Sequence, residues 1–230
     1  MLFKVCGMRD EANIHALLRV FQQEISAKTN LSPKPIVPLM GFIFYAQSPR
    51  FVGNENTLKP EMMRLLREHV QTIGVFVNAE KEEIAVKADQ YSLAGVQLHG
   101  TETPDFCREL RSILPQEMLV LKAFSIAEKH DFISVASYEG MIDYALFDTK
   151  GAQHGGNGTR FNWALLDEYT AAIPFLLSGG IDRVHAEEIK QIRHAQLAGL
   201  DINSRFEDAP ALKNVEKIGQ FLEIMLDAAL

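Results

Sequence analysis

Short runs of apolar and β-branched residues alternate along the chain with longer segments whose apolar positions recur at helical spacing. The short runs predict eight strands, at residues 2–6, 39–44, 72–77, 95–98, 118–123, 144–147, 174–177 and 197–202. Helical patterns cover residues 61–69, 80–89, 103–114, 163–170, 184–194 and 214–230. Strands that alternate with helices are typical of a parallel sheet with helices packed on its outside.

Two architectures fit this alternation, a closed (β/α)8 barrel and an open doubly wound sheet. The open sheet usually carries a GxGxxG turn after its first strand, and that turn is missing here. Polar or small residues end most strands: Cys6, Asn78, His99, Asp148, Ser178 and Ser204. Because the carboxyl ends of barrel strands form one functional rim, we predict an α/β fold with a single TIM barrel domain over residues 1–230.

Local signals add detail to this outline. Residues 26–38 contain three prolines and predict a surface insertion between the first helix and the second strand. The insertion enters at the barrel end opposite the functional rim, so we expect it to have no effect on catalysis.

Two helix starts are visible in the sequence. Thr103 and Pro104 predict the first, with threonine as N-cap and proline in the first turn, and Asp182 predicts the second.

Composition narrows the classes of partner. The net charge of −7 and the lack of a Lys/Arg block argue against nucleic acid. Apolar runs are too short to span a bilayer, and Lys4 and Arg9 precede any signal-like stretch, so we expect a cytoplasmic protein with no membrane partner. Cys6 and Cys107 have no metal-binding or CxxC spacing and are predicted as free thiols. For the oligomeric state, the sequence is compatible with both a monomer and a homodimer.

Cys6 is the first candidate for chemistry, because it puts a thiol where the first strand ends. Burial as an apolar filler is the alternative, although the following Gly7 would let a ligand approach the backbone. Side chains alternate along a strand, so Lys4 should point to the same side as Cys6. A nearby ammonium favours the thiolate, unless Lys4 simply pairs with an interior carboxylate such as Asp201.

Asp148 is the second candidate, at the end of the sixth strand. With Cys6 it forms a pair that can act as acid and base, which is the minimum equipment of an isomerase. The alternative for Asp148 is a carboxylate that caps the turn that follows it.

Two glycine-rich loops follow the sixth and seventh strands. They are residues 155–159, which include Gly156, and residues 178–180, which include Gly179 and Gly180. Backbone amides of such loops bind anions, and barrels often hold a phosphate after the seventh strand. We predict that these two loops bind the phosphate of a ligand. For the second loop, the alternative is a tight turn with no ligand.

Three further strands carry polar side chains within them or just after them. Gln97 and His99 share strand parity and are predicted to face a substrate, with a structural histidine as the alternative. Arg50, on a proline-stiffened loop after the second strand, is suited to binding a carboxylate through two hydrogen bonds. Lys122 can form a Schiff base if it is desolvated, or can pair with an interior carboxylate.

Taken together, these motifs resemble the phosphoribosylanthranilate isomerase family in the same order along nearly the whole chain. They are residues 4–8 (KVCGM), 41–45 (GFIFY) with 48–50 (SPR), 74–78 (GVFVN), 96–100 (VQLHG), 147–150 (FDTK), 155–159 (GGNGT) with 161–163 (FNW), and 177–180 (LSGG). Each motif alone is weak, and the ordered set is specific.

The resemblance implies the tryptophan-pathway Amadori rearrangement of N-(5-phosphoribosyl)anthranilate to 1-(2-carboxyphenylamino)-1-deoxyribulose 5-phosphate. This small phosphosugar substrate would react without a cofactor or metal. By the same resemblance, Cys6 is the general base at C2 and Asp148 the general acid at the ring oxygen. Arg50 would hold the anthranilate carboxylate, and Asp201 would contact a sugar hydroxyl. Ring opening gives a protonated imine that acidifies C2, so a thiolate with a modestly lowered pKa would suffice.

The end of the eighth strand departs from the family pattern. Residues 201–205 read DINSR where many relatives have a Ser-Ser-Gly turn. We therefore predict that Arg205 supplies a cation to the phosphate beside the amide of Ser204. The alternative is an outward Arg205 that pairs with Glu207 or Asp208.

Two other functions stay open from the sequence. One is a Schiff-base lyase that uses Lys122, and the other is a phosphosugar-binding barrel that has lost turnover. The departure at Arg205 allows the second, whereas the presence of both Cys6 and Asp148 favours the isomerase.

Overall fold

A computed structural model describes residues 1–28, 36–53, 57–149 and 161–227. Within these ranges, eight parallel strands pair in chain order and close into a barrel. They are β1 (Leu2–Cys6), β2 (Val37–Ile43), β3 (Gln71–Phe76), β4 (Gly95–Leu98), β5 (Leu119–Ile126), β6 (Tyr144–Thr149), β7 (Phe175–Leu177) and β8 (Leu197–Ile202). Because β1 pairs with both β2 and β8, the ring is complete and the predicted TIM barrel is confirmed.

Helices connect the strands on the outside of the barrel. The α-helices of the described ranges are α1 (Glu11–Lys28), α2 (Pro60–Leu66), α3 (Lys81–Gln90), α4 (Pro104–Ile113), α5 (Ala186–Gln191) and α6 (Val215–Leu226). Tighter 3-10 helices form at Lys129–Tyr138, Trp163–Glu168, Arg183–His185 and Ser204–Phe206. After β8 the chain forms a hairpin that the sequence pattern did not predict, made of β9 (Glu207–Ala209) and β10 (Leu212–Lys213).

The predicted helix starts are confirmed. Thr103 precedes Pro104 and accepts a hydrogen bond from the amide of Phe106 at 3.2 Å. Asp182 accepts one from the amide of Arg183 at 2.6 Å and opens the 3-10 turn that leads into α5. In both places a side-chain oxygen satisfies an amide that has no partner within its own helix.

The predicted insertion at residues 26–38 was too wide at both ends. Residues 26–28 belong to α1, and β2 begins at Val37. Residues 29–35 lie outside the described residues, as does Gly156. Across the described ranges, no helix has the length and apolar character that crossing a membrane requires.

The barrel interior changes from apolar to polar along its axis. Its apolar part is a layer of fully buried residues contributed by β2, β3, β5 and β7: Leu39, Ile73, Leu121 and Leu176. Lys4, Gln97 and Asp201 are also buried inside, nearer the carboxyl ends of β1, β4 and β8. Because a buried polar group needs a partner, this change indicates that the carboxyl end of the barrel is built for chemistry.

Candidate active site

Cys6 ends β1 with its thiol buried inside the barrel mouth, only 5% exposed. Gly41 is its partner on β2, and a Cβ there would lie 3.0 Å from Cys6 Sγ and 3.1 Å from Lys4 Nζ. A glycine at this position therefore leaves room for both groups. Lys4 Nζ donates a hydrogen bond to Asp201 Oδ1 at 3.0 Å. Lys4 thus shares a side of β1 with Cys6, as the sequence predicted, and it also makes the pair with Asp201 that was the alternative.

The electrostatic surroundings of the thiol differ from the prediction. Burial raises the pKa of Cys6, and the ammonium of Lys4, which hydrogen-bonds the thiol, lowers it by less. The expected lowered pKa is therefore wrong for the unliganded protein, because lost hydration, together with the negative charge of Asp201, outweighs the positive charges of Lys4 and Lys213. Burial also acts to lower the pKa of Lys4, but Asp201 and Cys6 raise it on balance, so the ammonium keeps its charge.

Asp148 lies near the carboxyl end of β6, beside His99, the residue that follows β4. His99 Nε2 is 3.4 Å from Asp148 Oδ2, and His99 Nδ1 is 2.8 Å from Gln97 Nε2. Nδ1 is therefore the ring nitrogen that contacts Gln97, and Nε2 is the one that faces Asp148. The two residues predicted to face a substrate are thus hydrogen-bonded to each other, and His99 lies next to Asp148. His99 and Asp148 keep side-chain exposures of 17% and 15%, so substrate can reach both.

The turn after β7 packs directly against Asp148. Gly179 has a φ of +81°, and a Cβ there would lie 2.4 Å from Thr149 Oγ1 and 2.9 Å from Asp148 Oδ1. Only glycine permits this backbone conformation and this close approach. Asp148 Oδ1 also accepts a hydrogen bond from the amide of Thr149 at 2.8 Å, so the carboxylate has the turn-capping contact as well.

Backbone amides at this turn and after β8 are available to an anion. Those of Gly179, Gly180 and Ser204 have no hydrogen-bond acceptor among the described residues. The amides of Asp182 and Arg183 are used within the chain, since Asp182 N donates to His185 Nδ1 at 3.0 Å and Arg183 N donates to the carboxylate of Asp182. The turn therefore offers its glycine amides, rather than the first amides of the following helix, to a phosphate.

Arg205 lies on the 3-10 helix Ser204–Phe206, and its side chain is exposed. The carboxylate of Glu207, its predicted alternative partner, is bound by Arg50 and Lys213. Asp208, the other predicted partner, accepts a hydrogen bond from Asn214 at 2.9 Å. The phosphate-binding role of Arg205 stays a prediction.

Arg50 reaches the site by lying across the turn that follows Cys6. Gly7 has a φ of +79°, and a Cβ on it would lie 2.6 Å from Arg50 Cδ, so glycine is required beneath this arginine. Arg50 Nε donates to Glu207 Oε1 at 2.9 Å, and Nη2 donates to Glu207 Oε2 at 2.6 Å. Sequence reasoning missed Glu207 as a site residue. The turn signal at Pro210 marks a possible hairpin but does not indicate where that hairpin folds back.

Lys213 completes the cluster around Glu207. Its Nζ donates to Glu207 Oε1 at 2.5 Å and to Asn203 Oδ1 at 2.7 Å, and the side chain is fully buried. Burial acts to raise the pKa of Glu207, but Arg50 and Lys213 together hold it below its usual value. The carboxylate is therefore ionised at neutral pH.

Lys122 is held by contacts with a buried carboxylate and a backbone carbonyl. Its Nζ lies 3.2 Å from the buried carboxylate of Glu102 and donates to the carbonyl of Gly100 at 2.9 Å. Glu102 in turn accepts hydrogen bonds from the amides of Asn78, at 2.9 Å, and Gly100, at 3.0 Å. The cluster ties together the loops after β3 and β4 next to His99. Of the two sequence interpretations of Lys122, these contacts favour the lysine paired to an interior carboxylate.

Comparison with known proteins agrees with this geometry. The family model described as N-(5'phosphoribosyl)anthranilate (PRA) isomerase matches residues 22–224. An N-(5'-phosphoribosyl)anthranilate isomerase from Phocaeicola vulgatus is 42% identical over 96% of this chain and 96% of its own length. One from Parabacteroides distasonis is 40% identical over 100% of this chain and 96% of its own. The crystal structure of phosphoribosyl anthranilate isomerase from Thermotoga maritima superposes with a TM-score of 0.75 and 25% identity, covering 98% of both chains.

Proposed function

The chain belongs to the N-(5'-phosphoribosyl)anthranilate isomerase family, and from that premise we propose that it isomerises N-(5-phosphoribosyl)anthranilate to 1-(2-carboxyphenylamino)-1-deoxyribulose 5-phosphate in tryptophan biosynthesis. In chemical class it is an aldose–ketose isomerase, an intramolecular oxidoreductase. The observation that carries the proposal is the presence of a thiol and a carboxyl group at the carboxyl ends of two barrel strands, β1 and β6. An acid and a base at one barrel mouth are what this rearrangement needs.

The proposed reaction begins at Asp148. Its carboxyl group protonates the ring oxygen, the bond from that oxygen to C1 breaks, and the anthranilate nitrogen becomes a protonated imine. The thiolate of Cys6 then takes the C2 proton, and the electron pair of that bond forms an enamine. A proton is then added at C1 while the C2 hydroxyl loses its proton and becomes the product carbonyl, so only protons are exchanged.

The buried thiol suits this order of events. In the free protein, burial keeps the pKa of Cys6 high. The protonated imine adds a positive charge to that of Lys4 close to the thiol, and both charges favour the thiolate. A larger fraction of the thiol is therefore ionised, and so able to act as base, at the step that uses it.

Binding groups surround this pair in the proposal. Arg50 holds the anthranilate carboxylate, because its guanidinium crosses the turn that follows Cys6. Asp201, paired with Lys4, contacts a sugar hydroxyl, and Gln97 and His99 complete the substrate-facing edge. We propose that the phosphate is bound by four backbone amides, those of Gly156, Gly179, Gly180 and Ser204. Arg205 would contact it directly as a cation.

Conversion of fluorescent phosphoribosylanthranilate by the purified protein tests the activity directly. Substrate fluorescence should disappear at a rate proportional to enzyme concentration, and the product should be the amino ketone. A protein that binds the phosphosugar without turnover would support the non-catalytic alternative. Trapping by borohydride with a substrate ketone would instead support a Schiff base at Lys122.

Replacing Arg50 with alanine should raise KM by roughly 10-fold to 100-fold and change kcat much less. The reason is the loss of a charge-assisted contact to the substrate carboxylate, worth about 1.5–3 kcal/mol. Steady-state kinetics across a range of substrate concentrations measure this effect. An unchanged KM would remove Arg50 from the binding site.

Replacing Arg205 with alanine should weaken binding of inorganic phosphate by roughly 1.5–3 kcal/mol, the scale of a hydrogen bond to a charged group. Because the side chain of Arg205 is exposed, its removal should leave folding intact. Calorimetry at low salt measures the affinity. If affinity is unaltered, phosphate binding is left to the amides of Gly179, Gly180 and Ser204.

A further inference from the structure

Arg50 offers its guanidinium to Glu207 in a specific orientation. The edge formed by Nε and Nη2 is occupied, with distances of 2.9 Å and 2.6 Å to the two carboxylate oxygens of Glu207. A guanidinium has a second two-donor edge, formed by Nη1 and the other hydrogen of Nη2. Nη1 makes no hydrogen bond to any described residue. One edge is therefore fixed by the protein, and the other is left to bind a ligand.

We propose that Glu207 is a positioning residue for Arg50, holding one edge of the guanidinium so that the other edge is aligned for the carboxylate of the substrate. The inference rests on the proposed function of Arg50 as the residue that binds this carboxylate. Nothing in it requires Glu207 to touch the substrate. An arginine held in its binding conformation before the substrate arrives loses less side-chain freedom on binding.

Lys213 makes this arrangement compatible with anion binding. A carboxylate paired with Arg50 alone would cancel the positive charge that attracts the substrate. Lys213 Nζ donates to the same carboxylate at 2.5 Å. Burial lowers the pKa of Lys213, and Glu207 offsets part of that effect. With the ammonium charged, the three side chains together carry one net positive charge. The side chains of Glu207 and Lys213 are 4% and 0% exposed, so solvent screens their interaction only weakly.

The surrounding contacts hold Glu207 in place. Its Oε1 also accepts a hydrogen bond from the amide of Ala211 at 3.2 Å, across the hairpin of β9 and β10. The backbone of Lys213 exchanges two hydrogen bonds with the side chain of Asn13, each 2.8 Å long. The hairpin is thereby fastened to α1, and the carboxylate that it carries has a fixed position relative to the barrel.

Glu207→Gln tests the proposal, because it keeps the size of the side chain but places an NH2 group against the donors of Arg50. We expect KM to rise about tenfold, the scale of one charge-assisted hydrogen bond, and kcat to stay within about twofold. Two ligands separate the carboxylate from the phosphate. Affinity for reduced 1-(2-carboxyphenylamino)-1-deoxyribulose 5-phosphate should fall about tenfold by calorimetry, and affinity for ribose 5-phosphate should be unchanged.

Two further variants serve as controls. Asp143→Asn removes one partner of another arginine–carboxylate pair, in which Arg111 lies 2.5 Å from Asp143. Asp143 directly precedes β6 and is therefore at the opposite end of the barrel. This variant should leave the affinities for both ligands unchanged. In an Arg50→Ala background, Glu207→Gln should cause no further loss, because a positioning residue has no effect without the group that it positions. An additive loss would contradict the proposal.

The outcomes separate this inference from the function on which it rests. Unchanged binding of the carboxylate ligand in Arg50→Ala would overturn both. A loss in Arg50→Ala with no loss in Glu207→Gln would overturn only the positioning role. Equal losses for both ligands would show that Glu207 merely maintains the hairpin, which also overturns it. If Glu207→Gln fails to fold, Glu207→Asp replaces it in the test, because aspartate keeps the charge opposite Lys213. The proposal then requires that affinity for the carboxylate ligand falls more than affinity for ribose 5-phosphate.

Discussion

Replacing Cys6 with serine is expected to lower kcat by about 100-fold or more and to leave the melting temperature nearly unchanged. A hydroxyl is a far weaker acid than a thiol, so Lys4 cannot produce a useful base from it, and loss of a general base costs about this much. The substitution is small, and the new hydroxyl lies beside the ammonium of Lys4, a partner for a polar atom. Stopped assays with fluorescent substrate and thermal unfolding measure the two effects.

The pH dependence provides a second check on Cys6. Burial raises the pKa of the thiol in the free protein. The thiolate fraction therefore grows as the pH rises, and kcat/KM of the unmodified protein should increase toward alkaline pH. The residual activity of Cys6→Ser should lack this rise. A rise that persists in the variant would assign the base to another group.

Cys107→Ser is the matched control, because it changes the other cysteine. Cys107 is fully buried in α4 among apolar side chains, and burial raises its pKa to about 11. A hydroxyl there should cost about 1–3 kcal/mol of stability and leave kcat unchanged. The two variants should therefore show opposite effects on activity and stability. Near-normal kcat in Cys6→Ser would remove Cys6 from its proposed role.

The barrel was predictable because its strands are distinct in the sequence. The predicted and observed bounds of the first, fourth and eighth strands are identical, at Leu2–Cys6, Gly95–Leu98 and Leu197–Ile202. Each of these strands is a short, mostly apolar run that ends at a polar or small residue or directly before one. Strand parity also predicted correctly that Lys4 and Cys6 share a side, since alternation is a property of the local backbone.

Contacts between distant segments could not be predicted in the same way. Arg50 and Glu207 are both visible as charged residues near strand ends, but their pairing depends on how the hairpin after β8 folds back. The prediction of a lowered pKa for Cys6 was wrong for a related reason. Sequence identifies Lys4 as a neighbour, but the loss of hydration depends on the whole barrel mouth.

The histidine after β4 is an intermediate case. Parity predicted that Gln97 and His99 face the same way, and the 2.8 Å contact between them confirms it. The sequence did not show that His99 Nε2 faces Asp148, because that contact crosses from β4 to β6. A residue predicted to bind substrate is therefore also a neighbour of the proposed general acid.

Replacing Asp148 with asparagine should likewise lower kcat by about 100-fold or more, because an amide cannot deliver a proton to the ring oxygen. The asparagine oxygen can still accept the hydrogen bond from the amide of Thr149, which is 2.8 Å long with the carboxylate. Folding should therefore be preserved, and KM should change little. Single-turnover rates on phosphoribosylanthranilate, with a melting curve for each variant, measure both effects.

Asp143→Asn is the matched control for this prediction, because the two carboxylates stand at opposite ends of the same strand. Asp143 pairs with Arg111 at 2.5 Å and accepts a hydrogen bond from the amide of Val120 at 2.7 Å, before β6 begins. Its replacement should lower the melting temperature by about 2–4 °C, as about 1 kcal/mol does in a chain of this length. Its kcat should be that of the unmodified protein, since the barrel's amino end contributes to stability rather than to chemistry. If Asp148→Asn instead kept its activity and lost stability, the carboxylate of Asp148 would be a turn cap and the general acid would have to be another group.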